Sequence, residues 1–118
     1  MALTVYGIPT CGTVKKARRW LDERNASYDW VDFRATPPSR ERVAAWVKAL
    51  GSKALRNTSG RAYRQLSDDK KLWSDARWVD AFASDPMLIK RPVLERDGVA
   101  VIAGLRAADD VLTALLID

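Results

Sequence analysis

The pattern of apolar and polar residues predicts a strand, a helix and a second strand in the first third of the chain. Residues 3–6 are mainly β-branched or aromatic, which favours a strand. Val14, Ala17 and Leu21 then recur at helical spacing. Residues 28–33 alternate apolar with acidic side chains, which favours a second strand. This order predicts a βαβ unit with parallel strands and a right-handed crossover.

The middle of the chain shows helical periodicity and no convincing strand. Ser39 is a suitable N-cap, and Gly51 ends the apolar pattern that follows it. Residues 52–60 are a polar loop, after which the helical pattern is broken and Ser74 can cap its last piece. We expect a helical insertion over about residues 38–86. The core residues predicted after the loop are Tyr63, Leu66, Leu72, Trp73, Trp78, Val79 and Phe82.

The last third of the chain predicts a β-hairpin followed by a helix. Residues 92–95 and 99–103 are short apolar runs, and the Asp97-Gly98 pair between them favours a hairpin turn. The final helix is expected to place four apolar residues on one face, namely Val111, Leu112, Leu115 and Leu116. The chain shows no repeat or interdomain linker, so we expect one α/β domain over residues 1–118.

Composition restricts the chemistry that this chain can perform. Of 118 residues, 47% are hydrophobic and 30% are charged, which is typical of a soluble globular domain. The absence of histidine and the presence of one cysteine argue against a metal site and a Cys-His catalytic pair. A single cysteine also precludes an intramolecular disulfide, so we expect a reducing, cytoplasmic location.

Hydropathy and charge also restrict the partners. The longest apolar run, residues 99–103, is too short to span a membrane, and the first predicted strand leaves no room for a signal peptide. The net charge of +5 could favour nucleic acid or a small anionic substrate, such as an oxyanion or glutathione. Because no recognition-helix or zinc motif is present, we do not expect direct nucleic-acid binding.

The only cysteine, Cys11, lies where the first predicted loop enters the first helix. Unpaired N–H groups and the helix dipole at this end stabilise an anion, so the pKa of the thiol should lie below its ordinary value. Four basic residues follow within two turns, namely Lys15, Lys16, Arg18 and Arg19. The pattern indicates a reactive thiolate beside an anion site; the alternative is a buried structural cysteine next to a solvated basic face.

Several segments together resemble the ArsC/Spx family of arsenate reductase-like proteins, and within it the YffB-like branch. They are YGIPTCGTVKKA at residues 6–17, KKARRWL at 15–21, LRNTSG at 55–60, LIKRP at 88–92 and AGLR at 103–106. The resemblance covers essentially the whole chain, including the helical insertion. It implies a thioredoxin-like fold, in which a βαβ unit is followed by ββα.

The resemblance also implies the residues of the site. In the family's arsenate reductases a cysteine at the position of Cys11 is the nucleophile, and three arginines hold the oxyanion. Two of these correspond to Arg91 and Arg106, for which the alternatives are a surface charge and a helix-flanking salt bridge. Asn57 stands where the third arginine belongs. Arg56 precedes it, and a neighbour on an extended loop should point elsewhere.

Further candidate site residues follow partly from their position next to the cysteine and partly from the resemblance. Thr10 and Gly12 flank the cysteine and belong to the expected anion-binding loop. Lys15, one turn onward, is the basic residue of the first helix expected to touch an anionic ligand. Pro92 corresponds to the cis-proline that faces the cysteine in thioredoxin-like proteins. Its alternative is an ordinary proline at the start of a strand.

Three functions are compatible with these features. The first is a glutathione-dependent thiol oxidoreductase without a bound cofactor, in which the Cys11 thiolate forms a covalent adduct with a disulfide substrate. Val14 replaces the second cysteine of a Cys-x-x-Cys motif, so an external thiol must resolve the adduct, with glutathione as co-substrate and glutaredoxin as a partner. The second is a glutaredoxin-coupled arsenate reductase. The third is an Spx-like regulator that binds RNA polymerase, although Val14 precludes that family's disulfide switch.

Overall fold

A four-stranded mixed sheet forms the centre of the computed structural model, which describes residues 2–117. Its strands are β1 (Leu3–Gly7), β2 (Asp29–Asp32), β3 (Val93–Arg96) and β4 (Val99–Ala103), in the order β2-β1-β3-β4. β1 is parallel to β2 and antiparallel to β3, and β3 is antiparallel to β4. The predicted βαβ and ββα units are therefore confirmed, and they join in one sheet between β1 and β3.

Helices connect and flank these strands. They are α1 (Gly12–Glu23), α2 (Arg40–Leu50), α3 (Ser52–Leu55), α4 (Arg61–Arg64), α5 (Asp75–Ser84) and α6 (Asp109–Leu116), with 3₁₀ turns at Asp68–Leu72 and Pro86–Leu88. Every described residue between β2 and β3 lies outside the named strands, and only an isolated bridge joins Arg56 to Ile89. The helical insertion is thus observed. Among residues 2–117, no helix combines the length and apolar character needed to cross a membrane.

The helix boundaries follow the capping signals in the sequence. Ser39 Oγ accepts a hydrogen bond of 3.1 Å from the backbone N–H of Arg42, and Ser74 Oγ accepts one of 3.2 Å from Arg77. Each bond satisfies one N–H group that the first helical turn leaves without a partner. Gly51 ends α2 with a φ of +85°, a conformation that favours glycine. Local sequence therefore fixes where α2 and α5 begin.

Because successive side chains along a strand point to opposite faces of the sheet, the buried apolar residues form two clusters, one on each face. One cluster is rich in aromatic residues from β1, the residue after β2, α2 and α5, including Tyr6, Phe33, Trp46, Trp78 and Phe82. The other contains aliphatic residues and one tryptophan from β1, α1, β3 and α6, including Leu3, Val5, Trp20, Leu21, Leu94, Leu112 and Leu116. The larger, aromatic cluster anchors the helical insertion to the sheet.

Two predicted core positions are wrong. Leu72 is 87% exposed, because it ends a 3₁₀ turn whose three-residue period carries it out of the helical register assumed from sequence. Its neighbour Trp73 contacts the core instead, with its ring centroid 4.9 Å from that of Trp78. Val111 is 46% exposed, since α6 buries the narrower stripe formed by Leu112 and Leu116.

A carboxylate is buried at the centre of the sheet. Glu95 is 3% exposed and accepts hydrogen bonds from three side chains: Tyr6 Oη at 3.0 Å, Trp46 Nε1 at 2.7 Å and Arg42 Nη1 at 2.8 and 2.7 Å. Burial and the adjacent Glu95 carboxylate raise the pKa of Tyr6 to about 12, so the phenol remains a donor. This buried network ties β1 and β3 to α2.

Candidate active site

Cys11 is the N-cap of α1, at the junction of loop and helix that the sequence predicts. Its backbone is extended, with φ −75° and ψ 126°, and its side chain forms no capping hydrogen bond. The backbone N–H donates to the Ile8 carbonyl at 3.2 Å, while the carbonyl accepts from Lys15 N at 3.0 Å. The thiol is partly exposed. The main chain is therefore held in place while the sulfur remains free to react.

Gly7 allows the first turn of α1 to approach the end of β1 closely, and Cys11 lies in the short connection between them. A Cβ atom on Gly7 would lie 2.7 Å from Val14 Cγ2, which is closer than real Cβ contacts. Val14 is itself fully buried. Glycine at the end of β1 and valine in the first turn of α1 thus form a tight contact that fixes the orientation of the loop between them.

The pKa of the Cys11 thiol lies below its ordinary value. Partial burial raises the pKa, but the backbone N–H groups of Val14 and Thr13 and the Arg91 guanidinium together lower it by more. Because Cys11 forms no capping hydrogen bond, we attribute the effect to the charge and dipoles that face the sulfur. A larger fraction of the thiol is therefore ionised at neutral pH than in an ordinary cysteine.

Arg91 comes from the opposite side of the site, immediately before β3. Its Nη1 donates to the carbonyl groups of Met87 and Ile89, both at 3.2 Å. Its Nε is buried and has no partner among residues 2–117. The peptide bond to the buried Pro92 is cis, which confirms the prediction for that bond. Two carbonyl groups thus fix one end of the guanidinium and leave Nε for another acceptor.

Cys11 and Arg91 line a cavity of about 470 Å³. The other lining residues are Thr13, Lys16, Asn57, Ser59, Gly60, Lys90, Gly104, Leu105 and Arg106. Four of the lining residues carry positive charge, and none of the described residues that line the cavity is acidic. Nor does any ion pair within residues 2–117 neutralise these four cations. The cavity is therefore suited to an anionic ligand placed next to a nucleophile.

The structure brings together only part of the residue set expected from sequence. Cys11, Asn57, Arg91 and Arg106 line one cavity, although they are dispersed over nearly the whole chain. The expected residues that do not line it are Thr10, Gly12, Lys15 and Pro92. Pro92 is buried, and the other three are exposed.

Lys16, rather than Lys15, reaches the cavity from α1, which corrects the sequence-based choice. Cys11 is the N-cap and its backbone is extended, so the cysteine itself does not follow the helical path. The spacing that predicts which side chains share a helix face therefore starts at the first helical residue and not at Cys11. Thr13 and Lys16 are three residues apart and share one helix face. The predicted position of Cys11 at the helix N-terminus, with the spacing counted from the residue after it, could have indicated both residues.

Lys90 is a second cation that sequence reasoning missed. Its side chain passes over Gly104, where a Cβ atom would lie 3.0 Å from Lys90 Cδ. Gly104 also has a φ of +78°, which disfavours other residues. The glycine in the AGLR segment therefore leaves room for a lysine from a distant segment, and no local sequence signal predicts this contact.

In the loop at residues 56–60, the Arg56 side chain points away from the cavity. Its Nη2 donates to Ser52 Oγ at 2.9 Å, and its guanidinium lies 4.4 Å from the ring centroid of Trp78. It does not line the cavity. Asn57 does, and its Nδ2 packs on Gly60, where a Cβ atom would lie 2.6 Å away. Asn57, and not Arg56, therefore occupies the place beside Arg91.

We expect Arg91→Ala to raise the pKa of the Cys11 thiol, because the substitution removes the cationic side chain that stabilises the thiolate. The midpoint of a pH series of iodoacetamide alkylation measures this change, and circular dichroism checks the fold. Arg91→Lys should retain much of the effect through its charge. Arg18→Ala is the matched control, since Arg18 lies in α1 but stacks 4.3 Å from the Trp30 ring centroid. An unchanged midpoint in Arg91→Ala would show that Arg91 does not act on the thiol.

Comparison with known proteins shows similarity along almost the whole chain. Residues 6–108 match the family model described as the ArsC family. The uncharacterized protein YusI of Bacillus subtilis (strain 168) is 40% identical over 110 residues, which are 90% of this chain and 92% of YusI.

Solved structures agree with the sequence comparison. The YFFB protein superposes with a TM-score of 0.86 at 34% identity, covering 98% of this chain and 99% of that protein. A possible arsenate reductase from Streptococcus mutans UA159 gives a TM-score of 0.81 at 37% identity, with coverage of 93% and 96%. The observed fold is thus that of these ArsC-related proteins.

More distant relatives have two different named functions. An arsenate reductase of Escherichia coli (strain K12) is 24% identical over 78% of this chain and 67% of its own length. The global transcriptional regulator Spx of Streptococcus pyogenes serotype M1 is 23% identical over 78% of this chain and 70% of its own length.

Proposed function

The chain belongs to the ArsC family, and from this premise we propose that it is a thiol-based oxidoreductase that uses glutathione as co-substrate. One observation carries the proposal: the partly exposed Cys11 thiol, whose pKa is lowered, faces a cavity with four cationic side chains. A thiolate is the nucleophilic form of cysteine, and the cations attract an anionic reaction partner.

The proposed cycle has two exchange steps. In the first, the Cys11 thiolate attacks the glutathione sulfur of a mixed disulfide, forms a Cys11–glutathione disulfide and expels the substrate as a thiolate, which takes up a proton. In the second, the thiolate of a second glutathione attacks the glutathione sulfur of this adduct, and Cys11 leaves as a thiolate. Overall, the substrate leaves as a thiol, one free glutathione is consumed, and its sulfur joins the glutathionyl group of the mixed disulfide to form glutathione disulfide.

The sequence requires that the second thiol comes from outside the chain. Cys11 is the only cysteine among the 118 residues. Val14, at the position of the second cysteine in a Cys-x-x-Cys motif, is fully buried against Gly7. Glutathione or a glutaredoxin would therefore supply the resolving thiol, and no bound cofactor is needed. The cycle depends on reduced glutathione, which fits a cytoplasmic location.

The same cavity also fits a carboxylate of glutathione. Arg91 and Arg106 can each form charge-assisted hydrogen bonds to a carboxylate, and Lys16 and Lys90 add positive charge. A volume of about 470 Å³ lies within the range of small-molecule sites. Incubation with oxidised glutathione should add one glutathionyl group per chain at Cys11, which intact-mass and peptide mass spectrometry would measure.

Arsenate reduction is the second candidate, and it is favoured by two arginines beside the thiol and by the arsenate reductases among the relatives. Arsenate has concentrated negative charge, and here Asn57 supplies an amide where the resemblance implies a third arginine. A charge-assisted hydrogen bond is worth about 1.5–3 kcal/mol. We therefore propose that arsenate is a poor substrate for the natural sequence.

Asn57→Arg should raise arsenate turnover about tenfold to a hundredfold, because it restores a charged donor beside Arg91. A coupled assay with glutathione, glutaredoxin and glutathione reductase measures this rate. Asn57→Gln is the matched control, since it lengthens the side chain without adding charge. Rapid arsenate reduction by the natural protein, together with no glutathione adduct, would favour the arsenate reductase instead.

A regulatory role like that of Spx is supported only by distant similarity. The Cys-x-x-Cys switch that the resemblance associates with Spx requires a second cysteine where this chain buries Val14. Binding to RNA polymerase without such a switch remains the alternative from a different functional class, and co-purification with the polymerase would reveal it.

A further inference from the structure

A second cavity lies next to the first and shares its boundary. It has a volume of about 360 Å³ and is lined by Asn57, Gly60, Arg61, Ala62, Gln65, Asp85, Met87 and Arg91. Asn57, Gly60 and Arg91 line both cavities. A ligand attached to Cys11 in the first cavity can therefore extend past these three residues into the second.

The two cavities differ in charge. The first has cations and no acidic side chain among its described lining residues, whereas the second contains both Arg61 and Asp85. No ion pair joins Arg61 to Asp85, or to any other residue among those described. Asp85 uses Oδ1 to accept the backbone N–H of Met87 at 3.0 Å. Away from the shared Arg91, one positive and one negative group thus line the second cavity without neutralising each other in a direct contact.

The boundary between the cavities combines one cation with two neutral residues. Asn57 contributes a carboxamide and Gly60 contributes backbone, while the Nη1 of Arg91 is already engaged by two carbonyl groups. The Asn57 carboxamide donates to the Met87 carbonyl and accepts from Ser59 Oγ, both at 3.4 Å, so it presents a neutral surface over which a peptide segment of a ligand can pass. The lining therefore runs from a cationic region, past Arg91 and two neutral residues, to a region with both charges.

We propose that the second cavity binds the α-amino-acid group of the thiol substrate, with Arg61 holding the carboxylate and Asp85 the ammonium group. This inference rests on the proposed function, and it assigns the γ-glutamyl end of glutathione to the second cavity. The cysteinyl sulfur then lies at Cys11, and the glycyl carboxylate faces the cations of the first cavity. Arg61 and Asp85 become specificity residues for γ-glutamyl thiols.

Two disulfides that differ only in this end test the assignment. Glutathione disulfide has the γ-glutamyl group, and the disulfide of cysteinylglycine lacks it. The second-order rate of adduct formation at Cys11 is measured by quenched intact-mass spectrometry for both. We expect Arg61→Gln and Asp85→Asn each to slow the reaction with glutathione disulfide about tenfold. The reaction with cysteinylglycine disulfide should change less than about twofold.

Three features of the design separate loss of the subsite from misfolding and from a general effect of charge. Asp85→Asn retains a side-chain oxygen that can accept from Met87 N, so the 3₁₀ turn should persist. It also makes the protein more positive, and long-range attraction alone would speed the reaction with anionic glutathione disulfide rather than slow it. Arg64→Gln removes an exposed positive charge from the same helix at a position that lines neither cavity, and should leave both rates unchanged.

Each outcome decides a different claim. A loss confined to glutathione disulfide in Arg61→Gln and Asp85→Asn supports the subsite. Equal rates for these variants and the natural protein on both disulfides would overturn the subsite and leave the proposed function standing. An equal loss in Arg64→Gln would assign the effect to general charge and also overturn it. If the natural protein forms no adduct with either disulfide, the proposed function fails and the subsite fails with it.

Discussion

Cys11→Ser is expected to abolish both adduct formation with oxidised glutathione and turnover of glutathione mixed disulfides. A serine hydroxyl is not ionised at neutral pH, so the positive charge and helix N–H groups around position 11 have no thiolate to stabilise. Enzymes that lose a covalent nucleophile can lose on the order of 10⁶ in rate. Activity should therefore fall to the detection limit in the coupled assay, and the intact mass should show no adduct.

Thr13→Ala provides the matched control for this loss. Thr13 lines the same cavity, but its hydroxyl has no part in the proposed exchange. The variant should form the Cys11 adduct at a rate of the same order as the natural protein. Circular dichroism should show that both variants are folded. Turnover that survives in Cys11→Ser would disprove the role of the thiol.

The pH dependence of this reaction follows from the direction of the pKa shift. Because the pKa of Cys11 is lowered, its thiolate fraction persists as the pH falls below the ordinary thiol pKa. The rate of adduct formation should decline only at pH values below those at which an ordinary thiol loses its reactivity. Free cysteine measured under the same conditions supplies the reference profile.

Glu95→Ala is expected to cause the largest loss of stability of any single change considered for this chain. The substitution removes the acceptor of the Tyr6 hydroxyl, the Trp46 indole N–H and the Arg42 guanidinium. Breaking a buried ion pair typically costs about 3–5 kcal/mol. The Arg42 side chain is 43% exposed and can regain water, so we expect about 3 kcal/mol. Urea denaturation measures the free energy of unfolding.

An exposed ion pair in the same protein is the control. Arg40 and Asp80 form a salt bridge with side chains that are 59% and 61% exposed. Asp80→Asn should change the free energy of unfolding by less than about 1 kcal/mol, because solvent screens exposed pairs. Ultraviolet titration gives a second readout, since Glu95 is one cause of the raised Tyr6 pKa and its removal should lower that pKa. Equal stability of Glu95→Ala and the natural protein would show that the network is dispensable.

Local sequence signals determined much of the fold. The helix ends depend on contacts within one helical turn, namely the caps at Ser39 and Ser74 and the glycine that ends α2. They could therefore be predicted without tertiary information. The Asp97-Gly98 turn adopts positive φ values of 53° and 82°, as the hairpin signal predicts. The same reasoning placed Cys11 at the start of α1. It failed at Leu72, where a 3₁₀ turn changed the helical period.

The sequence by itself thus determined the order of the strands and the longer helices, the cysteine at the helix N-terminus and, through the family resemblance, a candidate set that includes Arg91, Arg106 and Asn57. It did not predict the short helix α3, which lies where a polar loop is expected. Only the tertiary structure decided which long side chains reach the cavity: Lys16 and Lys90 do, and Arg56 turns away toward Trp78. It also decided that Glu95 is buried, because its hydrogen-bond partners lie 49 to 89 residues away in the chain. Backbone conformation depends on near neighbours, whereas the direction of a flexible charged side chain depends on contacts that the folded chain supplies from distant segments.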